Sequence, residues 1–161
     1  MGAPAVAKAV KRFDSPQQEV FLNLWRTYDR LRTFEDELFT RHDLTAQQYN
    51  ALRLLRAASP EKMPTLALAA RLISRAPDIT RLVDKLVQHG LVDRERPADN
   101  RRVVNVGITA GGIELLDQLA REVRACHERQ LGHLSPKEMT LLVDLLKKAR
   151  EPHEPAANGW M

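Results

Sequence analysis

The stretch Ile79-Thr80-Arg81-Leu82-Val83-Asp84-Lys85-Leu86-Val87-Gln88-His89-Gly90-Leu91-Val92 changes its hydrophobic period near its end. Ile79, Leu82, Val83, Leu86 and Val87 recur at helical spacing and make one apolar face, leaving Asp78, Arg81, Lys85 and Gln88 on the other. Gly90 stops this helix as its left-handed C-terminal residue. From there the period becomes two: Val104, Val106 and Ile108 alternate with Val103, Asn105 and Gly107. Leu91 to Arg96 pairs with them across the tip Pro97-Ala98-Asp99-Asn100, which reads as a short hairpin.

Upstream, Ile73-Ser74-Arg75-Ala76-Pro77-Asp78 reads as a turn opening that helix, with Ser74 as its cap and Pro77 tolerated in the first turn. Before it, a helix from Thr65 carries Leu66, Ala69, Ala70 and Ile73, and its alanines suit close approach by another helix. Helix-start chemistry, a hydroxyl with Glu or Gln three residues later, occurs at Ser15-Pro16-Gln17-Gln18, Thr45-Ala46-Gln47-Gln48 and Ser135-Pro136-Lys137-Glu138. The first opens a long stripe of Phe21, Leu24, Trp25, Tyr28, Leu31 and Leu38. The second opens a shorter helix that Pro60 and Pro64 end. Thr109-Ala110-Gly111-Gly112 begins another, with Ile113, Leu116, Leu119, Ala120, Val123 and Cys126 on one side, and Leu141, Leu142, Leu145 and Leu146 mark the last. The fold class is mainly α with a small β-hairpin wing.

The whole chain has 161 residues, 43% hydrophobic and 29% charged, which excludes disorder, collagen and a disulfide scaffold. A single cysteine, Cys126, forms no intrachain disulfide and fits a reducing, cytoplasmic setting. No run approaches the roughly 18 apolar residues of a membrane span, and the first residues lack the apolar core of an export signal. The net charge is +4, but Arg71 to Arg102 holds eight basic residues against five acidic, so +3 of it is local. Concentrated charge beside a helix with a free polar face is the footprint of a nucleic-acid partner.

These elements, in this order and spacing, resemble the MarR-type winged helix-turn-helix regulators over about residues 15–150. The resemblance is carried by Leu44-Thr45-Ala46-Gln47-Gln48-Tyr49, by Thr65-Leu66-Ala67-Leu68-Ala69-Ala70-Arg71-Leu72, and by the Ile79 to Val92 stretch. Arg94-Glu95-Arg96-Pro97-Ala98-Asp99-Asn100-Arg101-Arg102 and Val106-Gly107-Ile108-Thr109-Ala110-Gly111-Gly112 complete it. It implies a winged helix-turn-helix domain over 44–109 and dimerisation helices over 15–43 and 110–150; the ends, 1–14 and 151–161, the latter with two prolines and a glycine, are expected to be flexible tails. It further implies a cytoplasmic homodimer on a roughly palindromic double-stranded operator, with the recognition helix in the major groove and the wing in the minor groove.

The residues expected at DNA are Arg75, Ala76, Pro77, Asp78, Thr80, Arg81, Lys85, Arg96, Arg101 and Arg102. Asp78 also favours the helix N-terminus by its charge. The family's wing pairs an Asp with the arginine that enters the minor groove. Here that orienting role falls to Asp99 with Arg101 or to Asn100 with Arg102, and an Asn orients with a neutral hydrogen bond of less force. Trp25, Tyr28 and Tyr49 read most simply as core aromatics, and the resemblance implies a small aromatic ligand near them, between the dimerisation and DNA-binding regions. A dimeric repressor relieved by such a ligand is the function expected. The alternatives are a winged-helix module for protein association alone, and a redox-responsive regulator using Cys126. No metal site or cofactor is expected, and the absence of a phosphate-cradling loop, a His-Glu-x-x-His motif or a nucleophile elbow speaks against an enzyme.

Overall fold

The computed structural model of the chain describes residues 12–75 and 78–154. Its order is α1 (Pro16–Thr40), α2 (Ala46–Ala58), β1 (Met63–Pro64), α3 (Thr65–Arg71), α4 (Ile79–Gln88), β2 (Val92–Glu95), β3 (Asn105–Ile108), α5 (Ala110–Leu131) and α6 (Pro136–Arg150). Ser15, Thr45, Thr109 and Ser135 cap their helices where the sequence places them. Thr45 and Ser135 close full capping boxes with Gln48 and Glu138. Ser15 accepts from the Gln18 N–H, but the Gln18 side chain reaches one residue further back, to the Asp14 N–H at 2.7 Å.

The sheet has three strands in the order β1-β3-β2, all antiparallel. The hairpin register pairs Val92 with Ile108 and Glu95 with Asn105, leaving residues 96–104 as the wing tip. The third strand, Met63–Pro64, escapes sequence reading because two residues, one of them proline, carry no period. It lies at the edge, where a missing N–H costs little.

The core is built from Phe39, Leu52, Leu55, Leu68, Leu86, Leu119, Val83 and Val106, each almost wholly buried. It joins α2, α4, α5 and the sheet to the C-terminal end of α1. α3 contributes Leu68 and Leu72, one residue row away from the expected face: Leu66 is 79% exposed and Ile73 65%. The larger departure lies on α1. Its first half leaves Phe21, Trp25 and Tyr28 each 63% exposed, and only Leu38 and Phe39 are buried on that helix. On α6 no residue is fully buried, and Leu146 is its only partly buried leucine. The stripes exist as the spacing predicts, but among the described residues no element covers them.

Residues 151–153 continue α6 as a 3-10 turn, with Arg150 and Glu154 paired at 2.8 Å, where the sequence reading expects a loose tail. The ion pair and the turn hydrogen bond between the Glu154 N–H and the Glu151 carbonyl order them. The other tail residues, 1–11 and 155–161, lie outside the described residues, as do Ala76 and Pro77. Among the described residues no helix is long and apolar enough to cross a membrane.

Candidate nucleic-acid interface

α4 begins at Ile79 because Asp78 caps it: the Asp78 carboxylate accepts the Arg81 backbone N–H at 2.9 Å. Ser74 does not cap this helix. Its hydroxyl accepts from the Gln47 side chain at 2.9 Å, and that same amide reaches the Arg75 carbonyl at 3.4 Å, which ties α2 to the turn between α3 and α4. Leu82, Val83 and Leu86 anchor α4 to the core. Thr80, Arg81 and Lys85 consequently face outward and are exposed, and Arg75 is exposed on the turn before them. Arg81 and Lys85 line a shallow groove of about 240 Å³ with Thr45, Gln47, Gln48, Asp78 and Leu82.

The wing rises beside this helix. Gly90, at φ +71°, turns the chain out of α4 in a conformation that a side chain disfavours. At the other end of the hairpin, Thr109 caps α5 through the Gly112 N–H and donates its hydroxyl to the Gly90 carbonyl at 2.6 Å, so the two ends of the wing are fastened together. The base of the tip is fixed to α3, whose Thr65 gives both its N–H and its hydroxyl to the Val104 carbonyl.

At the tip, the Asn100 Oδ1 accepts the Arg102 backbone N–H at 3.2 Å. Asn100 therefore shapes the turn and does not hold a guanidinium. The Arg96 guanidinium donates to the Arg101 carbonyl at 2.9 Å, bracing the opposite side. Arg96, Arg101, Arg102 and Asp99 are all exposed. A cleft of about 860 Å³ opens between the wing and the start of α4, with Thr80 on one wall and Arg94, Arg96 and Arg102 on the other. Arg94, a basic residue of this region that the sequence reading did not single out as a contact, is committed to Asp84 on α4.

The structure does not bring the three aromatic candidates together. Trp25 and Tyr28 are exposed on α1 and are not core residues of this chain, while Tyr49 stacks on Phe39 at 4.5 Å and is half-buried, which pushes its phenol above the usual tyrosine value. A separate cavity of about 700 Å³ lies between the end of α1 and α5, walled by Phe34, Leu38, Arg41, Glu122, Cys126 and Arg129 among others. The Arg129 guanidinium sits 4.9 Å over the Phe34 ring, and Glu122 accepts from Arg41 and lies 3.2 Å from the His42 ring. The lining residues come from two helices some eighty residues apart, so no single stretch of sequence marks the cavity. Cys126 is buried in that wall, and desolvation first, then the Glu35 charge, pushes its thiol above the usual value. Among the described residues no group of three or more His, Cys, Asp or Glu is arranged to hold a metal ion.

A family model described as the MarR family matches residues 44–104, the segment from the start of α2 to the base of the wing. The chain is 55% identical to a MarR transcription factor from Planctomyces limnophilus of known crystal structure, over 85% of this chain and 99% of that one, with a TM-score of 0.68. A mutant MarR from Escherichia coli, solved in complex with operator DNA, is 26% identical over 81% of this chain and 93% of that one, with a TM-score of 0.73. The homoprotocatechuate degradative operon repressor of Escherichia coli is 28% identical over 67% of this chain and 72% of the relative.

Proposed function

The chain belongs to the MarR family of DNA-binding transcriptional regulators, and from that premise we propose that it is a two-fold symmetric repressor released from its operator by a small aromatic compound. In this reading α4 enters the major groove with Thr80, Arg81 and Lys85, and the wing arginines Arg96, Arg101 and Arg102 reach the adjacent minor groove and phosphates. Arg75 and Asp78 border the phosphate backbone at the helix start. The observation that carries it is the exposure of Arg81 and Lys85 along the groove at the start of α4, of Arg96 and Arg102 along the cleft beside it and of Arg101 at the wing tip, while the apolar side of α4 is buried. The capping role of Asp78 accounts for its carboxylate without a base contact.

The two-fold assembly rests on the bare stripes of α1 and α6. A domain of this size rarely leaves so much contiguous apolar surface uncovered. A second copy that packs α1, α5 and α6 against their equivalents covers it and sets two α4 helices at half-site spacing, with residues 15–43 and 110–150 as the dimerisation part and 44–109 as the DNA-binding part. The ligand is placed in the cavity between α1 and α5, its ring against Phe34 and its carboxylate toward Arg129. The volume, about 700 Å³, is of the size that small molecules occupy.

The test is a salt-dependent titration with the DNA upstream of the chain's own reading frame, with and without salicylate. Arg81→Ala and Lys85→Ala weaken binding while helix content stays unchanged, and log K falls against log salt with a slope on the order of −5 or steeper. Salicylate lowers the affinity. Full affinity in both variants overturns the placement of α4, and a flat salt response favours protein association in its place.

A further inference from the structure

Asp93 and Glu95 are at odds with the hairpin that carries them. They lie two residues apart on β2, both exposed, and so share one face of the strand while Arg94 points to the other. An anionic pair on an element that approaches a phosphate backbone costs affinity. Both carboxylates meet the same partner. Lys62, in the turn between α2 and β1, places its Nζ 3.1 Å from Asp93 Oδ2 and 3.1 Å from Glu95 Oε2.

The route of that side chain depends on Gly107. Gly107 stands opposite Asp93 in the β2–β3 ladder, and a Cβ built on it falls 2.8 Å from Lys62 Cγ and 3.1 Å from Asp93 Oδ1. The stem of Lys62 therefore crosses β3 over the one residue type without a side chain. The hydrogen bond to Asp93, then the one to Glu95, hold the ammonium in its charged form and raise its pKa.

We propose that Lys62 is a positioning residue for the wing: it gathers Asp93 and Glu95 over Gly107 and masks their charge, so that the wing arginines approach phosphates without an opposing pair beside them. This deepens the reading of the wing as a DNA contact and rests on it. Lys62 takes no part in binding by direct contact, so its effect is conditional on the two carboxylates.

That condition supplies the experiment. A fluorescently labelled duplex of mixed sequence is titrated at low salt with the full chain, with Lys62→Met, with the pair Asp93→Asn and Glu95→Gln, and with all three changes together. Arg101→Ala with Arg102→Ala serves as the wing control. Methionine keeps the apolar stem over Gly107 and removes the charge, and Lys62→Gln gives an independent neutralisation should the Met variant fold poorly, as read by circular dichroism. Lys62→Met and Lys62→Gln bind about five- to tenfold more weakly at low salt, and the deficit shrinks as salt rises, because screening weakens the repulsion from the exposed carboxylates, whereas the Asp93→Asn, Glu95→Gln pair binds no more weakly than the wild type. The triple variant regains wild-type affinity or exceeds it. Wild-type binding by both neutralised variants overturns the proposal, as does a triple variant that stays weak, which makes Lys62 a direct phosphate contact or a plain structural tether. In each of those cases the Arg101→Ala, Arg102→Ala control is still defective. A control that binds like wild type overturns the wing reading itself, and the proposal with it.

Discussion

The Arg94 guanidinium on β2 donates to the Asp84 carboxylate on α4, joining that helix to the strand that leads into the wing. The two side chains are 43% and 41% exposed, and pairs in such settings stabilise a fold by only about 0.2–1 kcal/mol. Their larger effect is on the field: the pair removes one cation from those offered to DNA. Asp84→Asn frees it. Thermal stability then changes by less than about 1 kcal/mol. Affinity for a mixed-sequence duplex rises, and the plot of log K against log salt steepens by about 0.9, the increment for one added phosphate contact. A slope equal to that of the wild type would show that Arg94 stays off the backbone.

Asp78 caps α4 while Ser74, the cap expected from the sequence, accepts from Gln47, and calorimetry separates the two. Asp78→Ala leaves the Arg81 N–H in the first turn of α4 without its acceptor, which costs about 1 kcal/mol of unfolding free energy. Ser74→Ala loses one exposed hydrogen bond from Gln47 and costs less. Equal losses in the two variants would contradict this assignment of the cap.

Much of the fold is legible because its signals are local. Ser15, Thr45, Thr109 and Ser135 announce helix starts by bonds that span three residues, Gly90 announces a left-handed turn, and alternation from Val103 to Ile108 announces the hairpin. The sequence places Asp78 at the helix N-terminus by its charge but does not single it out as the cap, because the Ser74 hydroxyl four residues earlier fits a helix start equally well. The bridge from Lys62 to Asp93 and Glu95 spans some thirty residues and depends on register, so no window of sequence contains it. Trp25 and Tyr28 show a different limit. Their spacing states that the α1 stripe is apolar, but periodicity does not say whether the same chain or another copy covers it.

Leu141 and Leu145 test which it is. Both are exposed on α6, at 59% and 55%, so replacing either with Glu leaves the single chain intact. In a two-fold assembly each change counts twice. Burying a leucine is worth about 1.5–3 kcal/mol, so the dimer loses about 3–6 kcal/mol and its dissociation constant rises by about two to four orders of magnitude. Sedimentation at micromolar concentration therefore shows monomers for Leu141→Glu and Leu145→Glu, with unchanged helix content and weakened operator binding. Dimers of wild-type strength in both variants would remove α6 from the interface.

Cys126 decides between a regulator released by a ligand and one released by oxidation. Its side chain is buried against α1, and loss of solvation is the foremost cause raising its pKa; Glu35 and Glu37 raise it further, while Arg129 and Arg41 pull it back only in part. The neutral thiol persists to higher pH than in a free cysteine, and the thiolate, which is the reactive form, is correspondingly scarce near pH 7. The same shift adds stability that is complete below the unfolded thiol's pKa and is lost as pH rises through the folded one. Alkylation by iodoacetamide should therefore be slower than for a free cysteine, with the midpoint of its pH-rate profile displaced upward. Cys126→Ala should bind DNA as the wild type does and respond to peroxide identically. A wild-type complex that peroxide dissociates while the Cys126→Ala complex persists would reverse the conclusion, because it would require a reactive thiolate in a site whose burial opposes one.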